Sequence, residues 1–150
     1  MQELRQEGVD VLVSALTMDE QQELGLQAES QACAANGIEF VNLPVPDLGV
    51  PQDSAAFLTV VGRLAVAIQA GEHVAVHCRQ SVGRSGLVAA GILIVLGSSL
   101  EAALRAVSDA RGLSVPETKE QRNWLEAHSG VLSRLASRKD LKANLSFSAF

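Results

Sequence analysis

The residues best equipped for chemistry lie in one stretch, HVAVHCRQSVGRSG, from His73 to Gly86. Its opening, His73–His77, reads as a strand, and its close, from Ser85 onward, as the start of an apolar helix. Between them Cys78–Arg84 is a loop of Gln, Ser and Gly with little hydrophobicity. Backbone N–H groups of such a loop can converge into a nest for an anion, and the positive end of the following helix adds to it. A thiol at the foot of that nest ionises well below the roughly 8.5 of a free cysteine. Arg84 closes the loop with a planar fork that matches two oxygens of a tetrahedral oxyanion. Gly83 and Gly86 are read as places of tight turning and close helix packing. A lone cysteine is usually an inert small hydrophobe. That reading suits Cys33, in a predicted helix with no Arg or His spaced around it. It does not suit Cys78, which joins a strand to a helix with Arg84 at loop-closing distance.

The elements that must position this loop follow from periodicity. Val9–Ala15 is a short β-branched run that suits a buried strand. Asp19 and Glu20 open a helical stretch, with acids near its start as the macrodipole prefers. Leu26–Asn36 continues as helix, and Asn36-Gly37 stops it. Ile38–Leu43 alternates as a second strand. Pro44–Pro51 holds three of the four prolines and is a loop. Ser54–Ala70 has helical spacing, with Asp53 or Ser54 as cap and Gly71 as terminator. His73–His77 is the third strand. Helices are expected over Ser85–Leu96, from Ser98 or Ser99 to about Ala110, and from Pro116–Thr118 to about Arg138. Residues 139–150 have weak periodicity and are expected to fray. Strands alternating with helices predict an α/β domain, a mainly parallel sheet flanked by helices, with 1–150 as a single unit.

Composition sets the outer bounds. The 150 residues are 47% hydrophobic and 19% charged, a globular mixture, and with 3% aromatics and no Tyr the core must be aliphatic. Two cysteines exclude a disulfide scaffold and point to a reducing compartment. Twelve basic against 17 acidic residues give a net charge of −5, which argues against a general nucleic-acid binder. The anion site must therefore be local. The longest apolar stretch, Leu87–Leu96, falls far short of the ~20 residues of a membrane span and reads as a helix buried on nearly all sides. The polar Met1–Asp10 has no apolar leader segment, and no cysteine near the C-terminus could carry a prenyl group. A soluble, cytoplasmic protein with no membrane partner is expected. His73 and His128 are read as a strand-edge and a helix-surface residue.

The form HC-x-x-S-x-GRSG at His77–Gly86 resembles the signature loop of the cysteine-dependent protein tyrosine phosphatases, most closely the small dual-specificity-like branch. VDVLVSALTMDE from Val9 resembles the early strand and turn of that branch. NLPVPDLGVP, Asn42–Pro51, resembles its general-acid loop, and Leu100–Trp124 its C-terminal helices. The resemblance implies a phosphatase-like fold and a metal-independent, cofactor-free phosphomonoester hydrolase acting on phosphoproteins. Cys78 would be the nucleophile that forms a thiophosphate intermediate. Arg84 and the backbone amides of Arg79, Gln80, Ser81, Val82 and Gly83 would cradle the phosphoryl group. Ser85 would hydrogen-bond the departing thiolate, and His77 would pack behind the loop and orient it. Asp47, three residues after Pro44, matches the general acid that protonates the leaving oxygen and then activates water. On its residues alone Asp47 is a turn former, and Asp53 is a rival acid, but Asp53 precedes a helix and reads as its cap. Gln121 stands where some relatives place a water-positioning glutamine; the plain alternative is an exposed helical Gln. Relatives usually carry one or two strands before the segment matching Val9, where this chain has Met1–Gly8. The chain is too short for the recognition insertions of the large tyrosine-specific enzymes, so a shallow pocket would admit phosphoserine and phosphothreonine beside phosphotyrosine.

Other chemistries fit less of the pattern. Sulfur transfer also uses a cysteine at a strand–loop–helix junction but leaves Asp47 and the Arg84-Ser85 pair without a role. Phosphoinositide or other small phosphate-ester hydrolysis would call for more basic residues in the loop than Arg79. A non-catalytic phosphate-binding module would tolerate loss of Cys78, Asp47 or Ser85, and all three are present. A scaffold would need a large apolar stripe, which is absent from the pattern.

Overall fold

The structure, a computed structural model, describes residues 1–80 and 82–135. Three short runs build its sheet: β1 (Val9–Ser14), β2 (Glu39–Asn42) and β3 (His73–His77). The order is β2-β1-β3, and both pairings are parallel. Register places Ser14 opposite Asn42 on one side and His77 on the other. The three segments that leave the strands therefore emerge together at one end of the sheet. In open parallel sheets that carboxyl end is where ligands bind.

Alternation along β1 divides the core. Val11 and Val13 point into the larger cluster with Phe57, Leu64, Leu87, Ile94, Leu125 and Leu132. Leu12 points to the opposite face, where it meets Cys33 and Ile38. The larger face is covered by α4 (Ser54–Gln69) and α5 (Gly83–Val95), with α6 (Leu100–Arg111) and α7 (Lys119–Leu135) packed on α5. Most of α5 is buried, as its apolar sequence requires. The smaller face is covered by α3 (Glu29–Ala35), by Leu4 of the short helix α1 (Gln2–Gln6) and by Met1, which caps that helix.

The predicted caps form. Asp53 Oδ1 accepts from the Ala56 N–H at 2.9 Å, and Ser99 Oγ accepts from the Ala102 N–H at 3.2 Å. Three differences stand out. Helix α1 was unexpected in a polar segment; its apolar residues Met1 and Leu4 fold back on the Cys33 cluster. The helical stretch from Asp19 to Asn36 is broken into α2 (Met18–Glu23) and α3, because Gly25 takes a left-handed φ of 69° after α2. Helix α5 begins at Gly83, not Ser85, so Arg84 sits in its first turn. Helix α7 is described to Leu135; Arg138 and the tail 139–150 lie outside the described residues. His73 opens β3 at the sheet edge, with Nδ1 3.1 Å from the Gly8 carbonyl, and His128 stacks on Trp124 at 4.1 Å. Among the described residues no helix is long and apolar enough to cross a membrane, and no cluster of three or more His, Cys, Asp or Glu could hold a metal ion.

Candidate active site

The end of β3 delivers Cys78, which is buried, and the first turn of α5 delivers Arg84, which is 3% exposed. A guanidinium that deep must be paired. Its partner comes from the segment after β1. Glu20 receives Arg84 Nη1 on Oε2 at 2.6 Å and Nη2 on Oε1 at 2.9 Å, a two-point fork. Glu20 is itself held by a capping box at the start of α2: the Thr17 N–H donates to Glu20 Oε2 at 3.0 Å, and the Glu20 N–H donates to Thr17 Oγ1 at 3.4 Å. The hydrogen bonds from Arg84, aided by those from Thr17, overcome burial and hold the Glu20 carboxyl down at about 2. Burial opposes the charge on Arg84, but Glu20, with Cys78 and Asp47 nearby, outweighs it and raises the guanidinium pKa.

The segment after β2 closes over the same guanidinium. The Val45 carbonyl accepts from Arg84 Nη1 at 3.1 Å, and Asp47 Oδ1 lies 3.3 Å from Nη2. Asp47 is largely exposed, so its carboxyl reaches the buried fork from the solvent side. The loop is anchored just beyond it. Leu48 adopts a left-handed φ of 56°, and its carbonyl accepts from Thr118 Oγ1 at 3.3 Å. Gln121 Nε2 donates to the Gly49 carbonyl at 3.0 Å, while its Oε1 accepts from the N–H groups of Glu117 (3.2 Å) and Thr118 (3.4 Å). Gln121 is fully buried, so it is not the exposed helical residue that its position in α7 allowed. It also abuts the start of α5: a Cβ at Gly83 would stand 2.9 Å from Gln121 Oε1 and 2.8 Å from Glu117 Oε2.

Ser85 is buried with its Oγ 3.6 Å from Cys78 Sγ. Arg111, at the end of α6, donates to Ser85 Oγ at 3.4 Å, which leaves the hydroxyl hydrogen free to turn toward the sulfur. Gly86 needs its missing side chain, since a Cβ there would collide with Val115 Cγ1. Neither Gly83 nor Gly86 has a left-handed φ, so both serve close approach and not the tight turning that was also expected. Behind the loop, His77 Nε2 lies 3.1 Å from Glu29 Oε1 of α3. Of the remaining cradle residues, Arg79 is exposed and pairs with Glu23 at 3.2 Å, Gln80 is exposed, and Val82 takes the N-cap position of α5. Ser81 lies outside the described residues. Asp53 caps α4 and is not brought to the cluster. Cys33 is fully buried, and burial with the Glu29 charge pushes its thiol up.

The cluster thus unites Cys78, Arg84, Ser85 and Asp47 with three residues that sequence reasoning did not single out: Glu20, Glu29 and Arg111. Glu20 had a readable signal, the Thr17-x-x-Glu20 capping box directly after a strand.

Residues 1–98 match the family described as "Polymorphic toxin system, DSP-PTPase phosphatase". Cyclin-dependent kinase inhibitor 3 of Sus scrofa is 32% identical over 113 residues, which are 73% of this chain and 53% of that protein. The Homo sapiens protein of the same name is 30% identical over 106 residues, 69% of this chain and 50% of that one. The chain therefore spans about half the length of the curated relatives it matches. Among solved structures, kinase-associated phosphatase with serine substituted for its catalytic-site cysteine superposes with a TM-score of 0.79 at 26% identity, covering 87% of this chain and 74% of the other. Tk-PTP in its active form gives 0.71 at 25% identity, covering 92% and 87%.

Proposed function

This chain belongs to the DSP-PTPase phosphatase family of polymorphic toxin systems, and on that premise we propose that it hydrolyses phosphomonoesters of phosphoproteins through a phosphocysteine at Cys78. The Cys78 thiolate attacks phosphorus, and the bond to the ester oxygen breaks as that oxygen takes the proton of Asp47. Asp47, now a carboxylate, removes a proton from water as the water attacks the thiophosphate. The S–P bond breaks, inorganic phosphate leaves, and the thiolate is restored with the Ser85 hydroxyl donating to it. Arg84 and the amides of Arg79–Arg84 hold the phosphoryl oxygens, with charge stabilisation that grows toward the transition state. Glu20 keeps the guanidinium in place and does not touch substrate.

The observation that carries this reading is the shared guanidinium. Arg84 is locked by Glu20 on one side and touched by Asp47 at 3.3 Å on the other, beside Cys78. A phosphoryl group entering the cradle competes with Asp47 for Nη2, which hands the carboxyl over to the ester oxygen. The acid and the phosphate fork are thus coupled by one contact. Arg79, the basic residue available within the loop for a lipid headgroup, is already paired with Glu23, which favours phosphoproteins over phosphoinositides. Phosphotyrosine is the expected first substrate, with phosphoserine and phosphothreonine admitted beside it. The same reading takes 1–150 as one catalytic unit working in a reducing cytoplasm, where Cys78 remains a thiol.

The test is turnover of a phosphopeptide panel in excess chelator. Release of phosphate, fastest from phosphotyrosine and unaffected by chelator, supports the reading. Chelator-sensitive turnover, or thiosulfate sulfur transfer in place of phosphate release, overturns it.

A further inference from the structure

Glu29 is a buried carboxylate that the proposed reaction does not use. It is the first residue of α3, its side chain is 5% exposed, and among the described residues its Oε2 is buried without a hydrogen-bond partner. A glutamate in the first turn of a helix can favour the macrodipole from the surface, so burial is not needed for that. Burying it costs free energy unless something compensates. What it meets is the ring of His77, Oε1 to Nε2 at 3.1 Å, in the residue that immediately precedes Cys78.

That contact specifies the ring. A carboxylate oxygen this close to Nε2 favours the ring form that carries hydrogen there, since a bare nitrogen would set its partial negative charge against the oxygen's. Nδ1 is then left as the imidazole's other functional edge. The Nε2–H is not aimed well enough at the oxygen to count as a hydrogen bond, so the pair rests on close approach and packing. Around it, α3 contributes Cys33, whose thiol Glu29 pushes up, with the chain amino group of Met1 acting on Cys33 from the α1 side. The loop contributes Cys78, and α5 contributes Arg84, whose charge is coupled to Cys78.

We propose that Glu29 is a positioning residue: by fixing the orientation and tautomer of His77, it sets how readily the Cys78 thiolate forms and reacts. The proposal deepens the phosphatase reading and rests on it. It also has a sign that simple electrostatics lacks. Removing the Glu29 charge without any role for His77 would make a nearby thiolate easier to form. Loss of the His77 orientation makes it harder.

The experiment is the pH dependence of alkylation at Cys78 by iodoacetamide, read by mass spectrometry at that peptide, for wild type, Glu29→Gln, His77→Asn and the double variant. In Glu29→Gln the midpoint should rise by about one pH unit, which is a tenfold loss of thiolate at fixed lower pH. Turnover of a phosphotyrosine peptide should fall in kcat by about the same factor, with KM little changed. The double variant should be no worse than His77→Asn alone, as expected for two residues acting through one route. Glu29→Asp, which keeps the charge one methylene away, should fall between wild type and Glu29→Gln, and it keeps the test open if the amide variant folds poorly. A midpoint that stays put or drops in Glu29→Gln, or effects that multiply in the double variant, overturns the proposal. Alkylation reads the coupling whether or not phosphate is released, so failure here is distinct from failure of the phosphatase reading.

Discussion

At the scale of single residues, the site is decided by which basic side chain each carboxylate meets and from which side. Glu20, Glu29 and Asp47 have different tasks because they meet their basic partners in different ways. Glu20 forks onto Arg84, Glu29 faces His77, and Asp47 touches Arg84 from solvent. Asp53, the rival of Asp47 in the sequence, is committed to the Ala56 amide. Asp47→Asn should therefore lower kcat by ~10²–10⁴-fold on a phosphotyrosine peptide, the worth of general acid–base catalysis, and by much less on an activated aryl phosphate whose leaving group scarcely needs a proton. Asp53→Asn should leave both nearly intact, and Asp53→Ala should mainly cost ~1 kcal/mol of stability. A leaving-group-dependent collapse in the Asp53 variant instead would reverse the assignment. The Cys78–Arg84 spacing and both aspartates were legible because each depends on neighbours in sequence. The pairings of Arg84 and His77 were not, since Glu20 and Glu29, whatever their local capping signals, reach them across long stretches of chain, and pairing at that range follows from strand order.

At the scale of elements, the parallel register of β1, β2 and β3 brings three loops together. What turns proximity into geometry is the bracing of the acid loop. Gln121 is saturated by two amides of the α7 entrance and gives its own N–H to Gly49. Gln121→Leu keeps the bulk but strands two amides and a carbonyl that are only partly buried, at up to about 1–3 kcal/mol for each that water cannot reach. We expect a lowered melting temperature and a kcat loss smaller than that of Asp47→Asn, with KM nearly unchanged, measured by thermal denaturation and steady-state kinetics. Full activity in that variant would mean that the acid loop is held by Thr118 and its prolines alone. Here the sequence was partly misleading. The helical periodicity of Asp19–Asn36 runs through a break imposed by Gly25, and the polar look of Gln2–Gln6 hid a helix that needs only Met1 and Leu4 to dock. Both are cases in which tertiary contacts outweigh local pattern. Strands and long helices were legible because period-2 and period-3.6 burial are local properties.

For the molecule as a whole, the Glu20–Arg84 pair links the site to global stability. The pair joins the segment after β1 to the first turn of the central helix α5, so unfolding must break it. Glu20 is held at about 2 in the folded protein against 4.5 for the free carboxyl. A depressed carboxylate contributes stability that is fully present above 4.5 and is lost as pH falls through about 2. The wild type should therefore lose urea resistance steadily across that window. Glu20→Gln, which has no proton to take up at this position, should show a weaker dependence there. At neutral pH that variant should be less stable by up to ~3–5 kcal/mol, the cost of removing the main partner of a buried charge, reduced by what Asp47 and the Val45 carbonyl still supply. Equal acid profiles for the two proteins would show that the pair is not coupled to folding.

Covalent chemistry at Cys78 is tested most directly by rapid acid quenching during turnover of a phosphotyrosine peptide, followed by mass spectrometry of the Cys78 peptide. Wild type should carry a phosphoryl group on Cys78. The adduct should accumulate further in Asp47→Asn when an activated aryl phosphate is supplied, because its hydrolysis is slowed more than its formation. Cys78→Ser should release no phosphate yet still bind the phosphopeptide. Phosphate release in Cys78→Ser, or a phosphoryl group trapped on any other residue, would contradict the account.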